Sequence, residues 1–224
     1  MFKFDKLVFG DLGWGDEFLF ATLMTVTVSI LSMGLGLCLA IITVWAKLIT
    51  NRITRFIATF YTTVVRGVPE LLVIYLIFFG GNSVLMSVAK LFGYNGYIEL
   101  NALTIGTIAI AFISATYSSE VIRAAYLAVN KGQVEAAKAL GLSRIQIFLR
   151  VMGPQIIRHA LPGIGNVWQI TLKDTSLISV TGLVEIMRQT RIASNVEHSP
   201  LTFLITAAFL YPVSYTHLTL PTKA

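Results

Sequence analysis

Ionisable side chains interrupt the apolar segments of this sequence, and their types suggest the binding of a charged solute. Three are carboxylates and three are cations: Glu70, Glu120 and Asp174, and Arg66, Arg123 and Lys173. Such groups are costly inside an apolar segment and by default mark a functional site. The carboxylates could hold a cationic group, and Arg66 or Lys173 could hold a carboxylate. Hydroxyls for the same candidate solute path lie close by in sequence, at Ser118, Ser119, Thr175 and Ser176.

A structural explanation competes with this one for several of these residues. Glu120 and Arg123 are one helical turn apart and could pair with each other. In the same way, Arg66 could pair with Glu70. Lys173 and Asp174 are neighbours in sequence, so they point in different directions on a helix.

The composition excludes most soluble classes of protein. Of the 224 residues, 55% are hydrophobic and only 12% are charged, whereas soluble domains are about 25% charged. Disorder requires low hydrophobicity and high charge. The net charge of +6 comes from Lys and Arg that lie mostly between apolar runs, so membrane topology explains it better than nucleic-acid binding does.

Five apolar runs predict an all-α integral membrane protein with about five transmembrane helices. They cover residues 18–46, 56–81, 102–129, 160–184 and 200 onward. Pro69 predicts an interruption of the second run at 66–70, and 82–101 is expected to be extramembrane. In the first run Ser32, Gly36 and Ala40 share one helix face, which suits close helix packing or is simply a tolerated mix of small residues.

The predicted domains are an extramembrane segment at 1–17, a membrane domain at 18–211 and a tail at 212–224. The last apolar run stops at Tyr211, which is too short to cross a bilayer. The tail is polar and rich in threonine, and we interpret it as a cloning scar joined to a truncated last helix. A short re-entrant end followed by a flexible native tail is the alternative.

The distribution of Lys and Arg predicts the orientation in the membrane. With the N-terminus outside, nine basic residues are cytoplasmic and five are outside. The cytoplasmic ones are Lys47, Arg52, Arg55, Arg123, Lys131, Lys138, Arg144, Arg150 and Arg158; the outer ones are Lys3, Lys6, Lys90, Arg188 and Arg191. Because basic residues accumulate on the cytoplasmic side, we expect a periplasmic N-terminus.

Residues 130–165 form a long basic loop with a helix–turn–helix pattern. Gly141 is a suitable left-handed helix end. Ser143 and Gln146 have the spacing of a capping box that starts a second helix, and Pro154 is expected to break or end that helix. A surface helix on lipid headgroups would show a similar basic, amphipathic pattern.

The spacing in this loop resembles the EAA loop of permease subunits of bacterial binding-protein-dependent ABC importers. It is carried by Glu135, Ala136, Ala137, Gly141, Val151 and Pro154. Gly153 stands where the family usually has leucine. The stretches 66–81, 117–133 and 172–185 resemble the polar amino-acid branch of that family, and 66–81 is similar to permeases for basic amino acids and opines.

This resemblance implies the fold of a type I ABC importer permease and transport by alternating access in the bacterial inner membrane. It implies that Glu135, Ala136, Ala137, Gly141 and Pro154 belong to a loop that docks a cytoplasmic ATPase. The implied partners are a second permease subunit, identical or not, an ATPase dimer, a periplasmic solute-binding protein, membrane lipid and an amino acid. The sequence has no G-x-x-x-x-G-K-[ST] motif, so ATP and magnesium would be bound by the ATPase and this chain would need no cofactor.

Two other classes compete with an ABC permease. An ion-coupled secondary transporter or exporter would need coupling-ion sites and often internal repeats, and no convincing repeat is evident. A membrane-embedded enzyme is disfavoured because there is no H-E-x-x-H, no metal-ligand cluster and no G-x-S-x-G.

Overall fold

The computed structural model describes residues 4–10, 13–94, 96 and 101–216. The described residues form ten α-helices in the order α1 to α10. They are α1 Gly15–Leu48, α2 Arg52–Gly67, α3 Glu70–Tyr75, α4 Gly81–Leu91, α5 Ala102–Ala128, α6 Lys131–Ala139, α7 Arg144–Ile147, α8 Gly153–Asp174, α9 Ile186–Glu197 and α10 Pro200–Thr216. Among these residues no strand is present, which agrees with the predicted all-α class.

Within the described residues, three helical segments are long and apolar enough to cross a membrane: Gly15–Leu48, Glu70–Leu91 and Ala102–Ala128. The second corrects our prediction, because the span begins after Pro69 and continues to Leu91. A π-helical turn at Leu76–Gly80 joins α3 to α4, so the glycines at 80 and 81 do not end the helix. The remaining two predicted spans correspond to α8 and α10, and they stay predictions.

The close packing of α1 on α5 depends on the small-residue face of α1. The Ser32 hydroxyl donates a hydrogen bond to the carbonyl oxygen of Thr107 at 3.1 Å, and Ala40 is fully buried. A Cβ atom at Gly36 would lie only 2.2 Å from the Ser114 hydroxyl oxygen. The close-packing interpretation of this face is therefore confirmed.

Replacing Gly36 by leucine is expected to destabilise the protein by about 1–3 kcal/mol, because the side chain forces α1 and α5 apart. Gly34 is the matched control, since a Cβ there meets no atom within 4 Å. Both changes remove a helix-interior glycine and gain the same helix propensity. Thermal unfolding in detergent should show a lower midpoint for Gly36→Leu than for Gly34→Leu. Equal midpoints would contradict the close contact.

The central core joins α1, α2, α3, α5 and the 3₁₀ turn Thr175–Thr181. Its buried side chains are Val28, Val65, Val73, Ile74, Ala109, Ile110, Ile113, Ile178 and Leu183. A second cluster fastens the start of α1 to the α9–α10 hairpin, where Phe18 stacks on Phe203 with ring centroids 6.0 Å apart. The central core thus holds the end of α2 and the short helix α3 against α5.

The predicted boundary between membrane domain and tail falls inside a helix. α10 continues through Pro212 to Thr216 and is 17 residues long, so the helix extends past the apolar run that ends at Tyr211. Residues 217–224 lie outside the described residues, and the foreign origin of the tail stays a prediction.

Candidate functional site

A break between α2 and α3 places Arg66 and Glu70 on either side of an extended residue. α2 ends at Gly67, and Val68 has extended backbone angles. The carbonyl oxygen of Pro69 then accepts the first hydrogen bonds of α3. The interruption that Pro69 predicts is confirmed, because a proline disfavours helical angles at the residue before it.

Tyr117, in the middle of α5, contacts both sides of this break. Its hydroxyl donates a hydrogen bond to Oε1 of Glu70 at 3.0 Å. The guanidinium carbon of Arg66 lies 5.5 Å from the centroid of the Tyr117 ring, within the range of a cation–π contact. Arg66 and Glu70 therefore both contact Tyr117, and no direct Arg66–Glu70 ion pair is present among the described side chains.

Asp174 joins this group from the end of α8. Its side chain is buried, and its carboxyl group lies close enough to that of Glu70 for the two to interact electrostatically. Lys173 is exposed and points elsewhere, as the adjacency of the two residues predicts. The structure thus brings together Glu70 and Asp174, which are far apart in sequence.

The candidate hydroxyls are divided between two places. Thr175 is buried at the start of the 3₁₀ turn and donates to the carbonyl oxygen of Leu172 at 2.7 Å. Ser176 is half-buried, and both residues lie near Tyr211 on α10. Ser118 is fully buried on α5, and its hydroxyl has no hydrogen-bond partner among the described residues.

Glu120 lies in a separate cluster with Lys47, Thr62 and Arg123. Lys47 Nζ forms an ion pair with Oε1 of Glu120 and donates to the Thr62 hydroxyl at 2.6 Å. Arg123 Nε contacts Oε2 of Glu120 at 3.0 Å. The structural pairing of Glu120 with Arg123 is confirmed, and the charge of Glu120 is compensated twice.

Lys47 is a residue of this cluster that the sequence pattern does not place there, because it directly follows the first apolar run and is counted only among the cytoplasmic basic residues. Its side chain is only 6% exposed, since it lies in the last turn of α1 and turns toward α2 and α5. A lysine that directly follows an apolar run without a turn residue is the signal for a continuing helix.

An open cavity of about 480 Å³ lies between α2 and α5. It is lined by Thr59, Thr62, Thr63, Arg66, Gly67, Tyr117 and Glu120. Its charged lining residues are Arg66 and Glu120. Arg66 contacts Tyr117 of α5, and Glu120 of α5 shares Lys47 with Thr62 of α2. The volume is within the usual range for small-molecule sites.

A second polar group, not foreseen from the sequence, fastens α10 near Asp174. Glu185 is fully buried and accepts hydrogen bonds from the backbone N–H groups of Met187 at 2.8 Å and Arg188 at 2.7 Å. The hydroxyl of Tyr211 donates to Oε2 of Glu185 at 2.9 Å, the same oxygen that accepts from Met187. The available signal is an acidic residue directly before a helix, which is typical of a cap.

The loop at 130–152 has the local geometry expected from its sequence. Gly141 has a φ of +76°. The N–H of Gly141 bonds to the carbonyl of Lys138 and that of Leu142 to Ala137, which is a Schellman motif. Ser143 and Gln146 form the predicted capping box. Glu135 and Ala136 are not buried, whereas Ala137 is.

The expectation that Pro154 ends the second loop helix is wrong. α7 continues through a π-helical turn at Phe148–Met152 directly into α8, and Pro154 lies in the first turn of α8. A Cβ at residue 153 would lie 3.0 Å from the carbonyl oxygen of Phe148. Glycine therefore fits this turn better than the leucine that the EAA pattern usually has here.

Residues 32–216 match the family described as "Binding-protein-dependent transport system inner membrane component". The chain belongs to this family. It is thus a non-catalytic, multi-pass permease subunit of the inner membrane, for which no cofactor is expected. A binding-protein-dependent system implies an ATPase and a solute-binding protein as partners.

Curated relatives of this permease are similar over nearly their whole length. It is 50% identical to the nopaline transport system permease protein NocQ of Agrobacterium fabrum over 92% of this chain and 87% of that protein. It is 45% identical to the octopine permease protein OccQ of Rhizobium radiobacter, covering 91% and 86%. It is 38% identical to the histidine/lysine/arginine/ornithine permease protein HisQ of Escherichia coli, covering 90% and 88%.

Two solved structures share the fold of the permease. An amino acid ABC transporter crystallised with histidines has a TM-score of 0.77 and 29% identity, with 92% of both chains covered. The MetNI methionine ABC transporter has a TM-score of 0.63 at 14% identity, covering 89% of this chain and 90% of that one, which supports the fold alone. The family match described above excludes the alternatives of a secondary transporter and a membrane enzyme.

Proposed function

We propose that this permease forms the translocation path of an ATP-driven importer of basic amino acids or opines, in which Glu70 and Asp174 receive the cationic group of the substrate. The observation that carries the proposal is the approach of these two carboxyl groups beside Tyr117. Two carboxylates this close repel each other, and a bound cation relieves the repulsion. The Tyr117 hydroxyl orients Glu70 for that contact.

The relatives support the same substrate class. Their names give nopaline, octopine and a set of basic amino acids as the transported compounds. All of these carry a cationic group together with a carboxylate. Glu120 no longer belongs among the primary cation ligands, because Lys47 and Arg123 already compensate it. Lys173, Thr175, Ser176 and Ser118 remain candidates for the rest of the path.

The assembly that we propose contains a second permease subunit, identical or different, an ATPase dimer and a periplasmic binding protein, with a periplasmic N-terminus. Glu135, Ala136, Ala137, Gly141 and Pro154 belong to the proposed coupling loop. Support comes from apolar side chains that the loop leaves exposed, at Leu140, Ile145, Phe148 and Leu149. Such side chains would fill a groove on the ATPase and transmit its movement as a rigid contact.

Replacing Asp174 by asparagine tests the cation site. The variant would be measured in liposomes containing the full chain, its partner permease and the ATPase. We expect the half-saturating concentration of loaded binding protein to rise, or the uptake rate to fall, by about ten- to hundredfold. That range corresponds to the loss of a hydrogen bond to a charged group. Uptake and stimulated ATP hydrolysis would be measured with arginine, lysine, histidine, an opine, glutamine and glutamate.

Glu17→Gln is the matched control, because Glu17 is an exposed carboxylate in the first turn of α1. It should leave uptake unchanged. Unaltered uptake in Asp174→Asn would remove this residue from the site. Stimulation by glutamine or glutamate alone would discard the basic-substrate proposal while leaving the importer in place.

A further inference from the structure

One side-chain amide joins the two ends of the loop at 130–152. Nε2 of Gln155, in the first turn of α8, donates a hydrogen bond to the carbonyl oxygen of Val151 in the π-helical turn at 2.8 Å. The same nitrogen donates to Oε1 of Gln133, in the first turn of α6, at 2.6 Å. The two glutamines are 22 residues apart in sequence, so their contact closes the base of the loop.

The direction of the hydrogen bond between the two glutamines is fixed by its surroundings. The backbone carbonyl of Val151 can only accept, so the atom of Gln155 that contacts it is the amide nitrogen. An amide NH2 group can only donate, so the atom of Gln133 that faces it is the amide oxygen. Gln155 is therefore the donor and Gln133 the acceptor, and substitutions can test this polarity.

The start of α8 is a point at which the helix can bend. Pro154 has no N–H, so the turn before it lacks one backbone donor, and that turn is π-helical. Sharp bends in helices occur at prolines and at π-helical turns. Within the described part of the chain, no ion pair joins α6 to α8. The amide of Gln155 is thus the polar contact that fixes α6 against the start of α8.

We propose that Gln155 is a positioning residue that makes the coupling loop and α8 move as one rigid body. This deepens the proposed function and rests on it. A movement of the ATPase displaces the loop, and the contact between Gln133 and Gln155 passes the displacement to α8, so that the π-helical turn does not absorb it. α8 has 22 residues and ends at Asp174, the proposed cation site. At 1.5 Å per residue the displacement is carried over about 33 Å.

Gln155→Glu removes the donor and places a carboxylate against two acceptor oxygens. Liposomes containing the full chain, its partner permease and the ATPase would be supplied with loaded binding protein. Uptake and ATP hydrolysis would be measured in the same vesicles, with the fastest imported of arginine, lysine, histidine and an opine. We expect the number of solute molecules imported per ATP to fall by about three- to tenfold, which corresponds to the loss of one hydrogen bond. The ATPase should remain bound and continue to hydrolyse ATP.

Variants of Gln133 test the polarity and guard against a folding defect. Gln133→Glu keeps an acceptor in front of Gln155 and should keep the number of solutes per ATP, whereas Gln133→Lys should lower it. Combining Gln133→Lys with Gln155→Glu exchanges donor and acceptor as an ion pair and should restore most of the ratio. Asn51→Asp is the matched control, because it changes an exposed amide outside the loop to a carboxylate, and aspartate caps α2 as well as asparagine does.

The results separate this inference from the proposed function. An unchanged number of solutes per ATP in Gln155→Glu, or an exchanged pair that restores nothing, overturns the role of Gln155 while the importer stands. Loss of the ATPase from Gln155→Glu also overturns it, since the amide would then serve docking and not transmission. An unaltered complex that retains no ATPase, or imports none of the four compounds, contradicts the proposed function itself.

Discussion

Replacing Lys47 by methionine is expected to lower the stability of the permease by about 3 kcal/mol, a large effect for a single substitution. The substitution leaves Glu120 with only Arg123 as an ion-pair partner among the described residues. The loss falls at the lower end of the range for broken buried pairs, because the Glu120 side chain is 27% exposed. The midpoint of thermal unfolding of the detergent-solubilised complex measures it.

Two further variants isolate the ion pair. Lys47→Met combined with Glu120→Gln should recover much of the stability, since removing both charges is far less costly than removing one. Arg123→Met should cost less than Lys47→Met, because the Arg123 side chain is 41% exposed and that of Lys47 only 6%. A double variant as unstable as Lys47→Met would show that the lysine acts through packing and not through Glu120.

Gly141→Val is expected to abolish most ATP-driven uptake while leaving the membrane domain folded. The positive φ of Gly141 costs a β-branched residue about 1–2 kcal/mol or more. That strain opens the Schellman turn and changes the angle between α6 and α7. The exposed side chains of Leu140 and Ile145 would then no longer fit together into the proposed groove on the ATPase. Retention of the ATPase during purification and uptake in liposomes are the two measurements.

Gly141→Asn is the control, because asparagine tolerates the left-handed region. It should retain the ATPase and most of the uptake. No Cβ contact closer than 4 Å exists at this position, so any defect arises from the backbone and not from a clash. Normal uptake in Gly141→Val would mean that this turn is not the coupling element.

Much of the fold follows from local sequence. The break at Pro69, the left-handed turn at Gly141 and the capping box of Ser143 and Gln146 all involve residues within a few positions of each other. The second membrane span is predicted in the wrong place because local sequence does not decide where it ends. The apolar run in the sequence stops at Gly81, but a helix in an apolar environment continues because its backbone groups have no other partners.

The sequence by itself determined the class of protein, the apolar segments, the turn and cap of the loop at 130–152 and the resemblance to a permease, since each depends on composition or short spacing. Only the tertiary structure decided which charges meet. Lys47 contacts Glu120 across 73 residues, Tyr117 contacts Glu70 across 47, and Asp174 reaches Glu70 from a different helix. Helical periodicity gives the face on which a side chain lies, whereas its partner depends on how the helices pack. That packing pairs Glu120 with Lys47 and Arg123, so its carboxylate has a structural role. It leaves Arg66 without an ion-pair partner among the described residues.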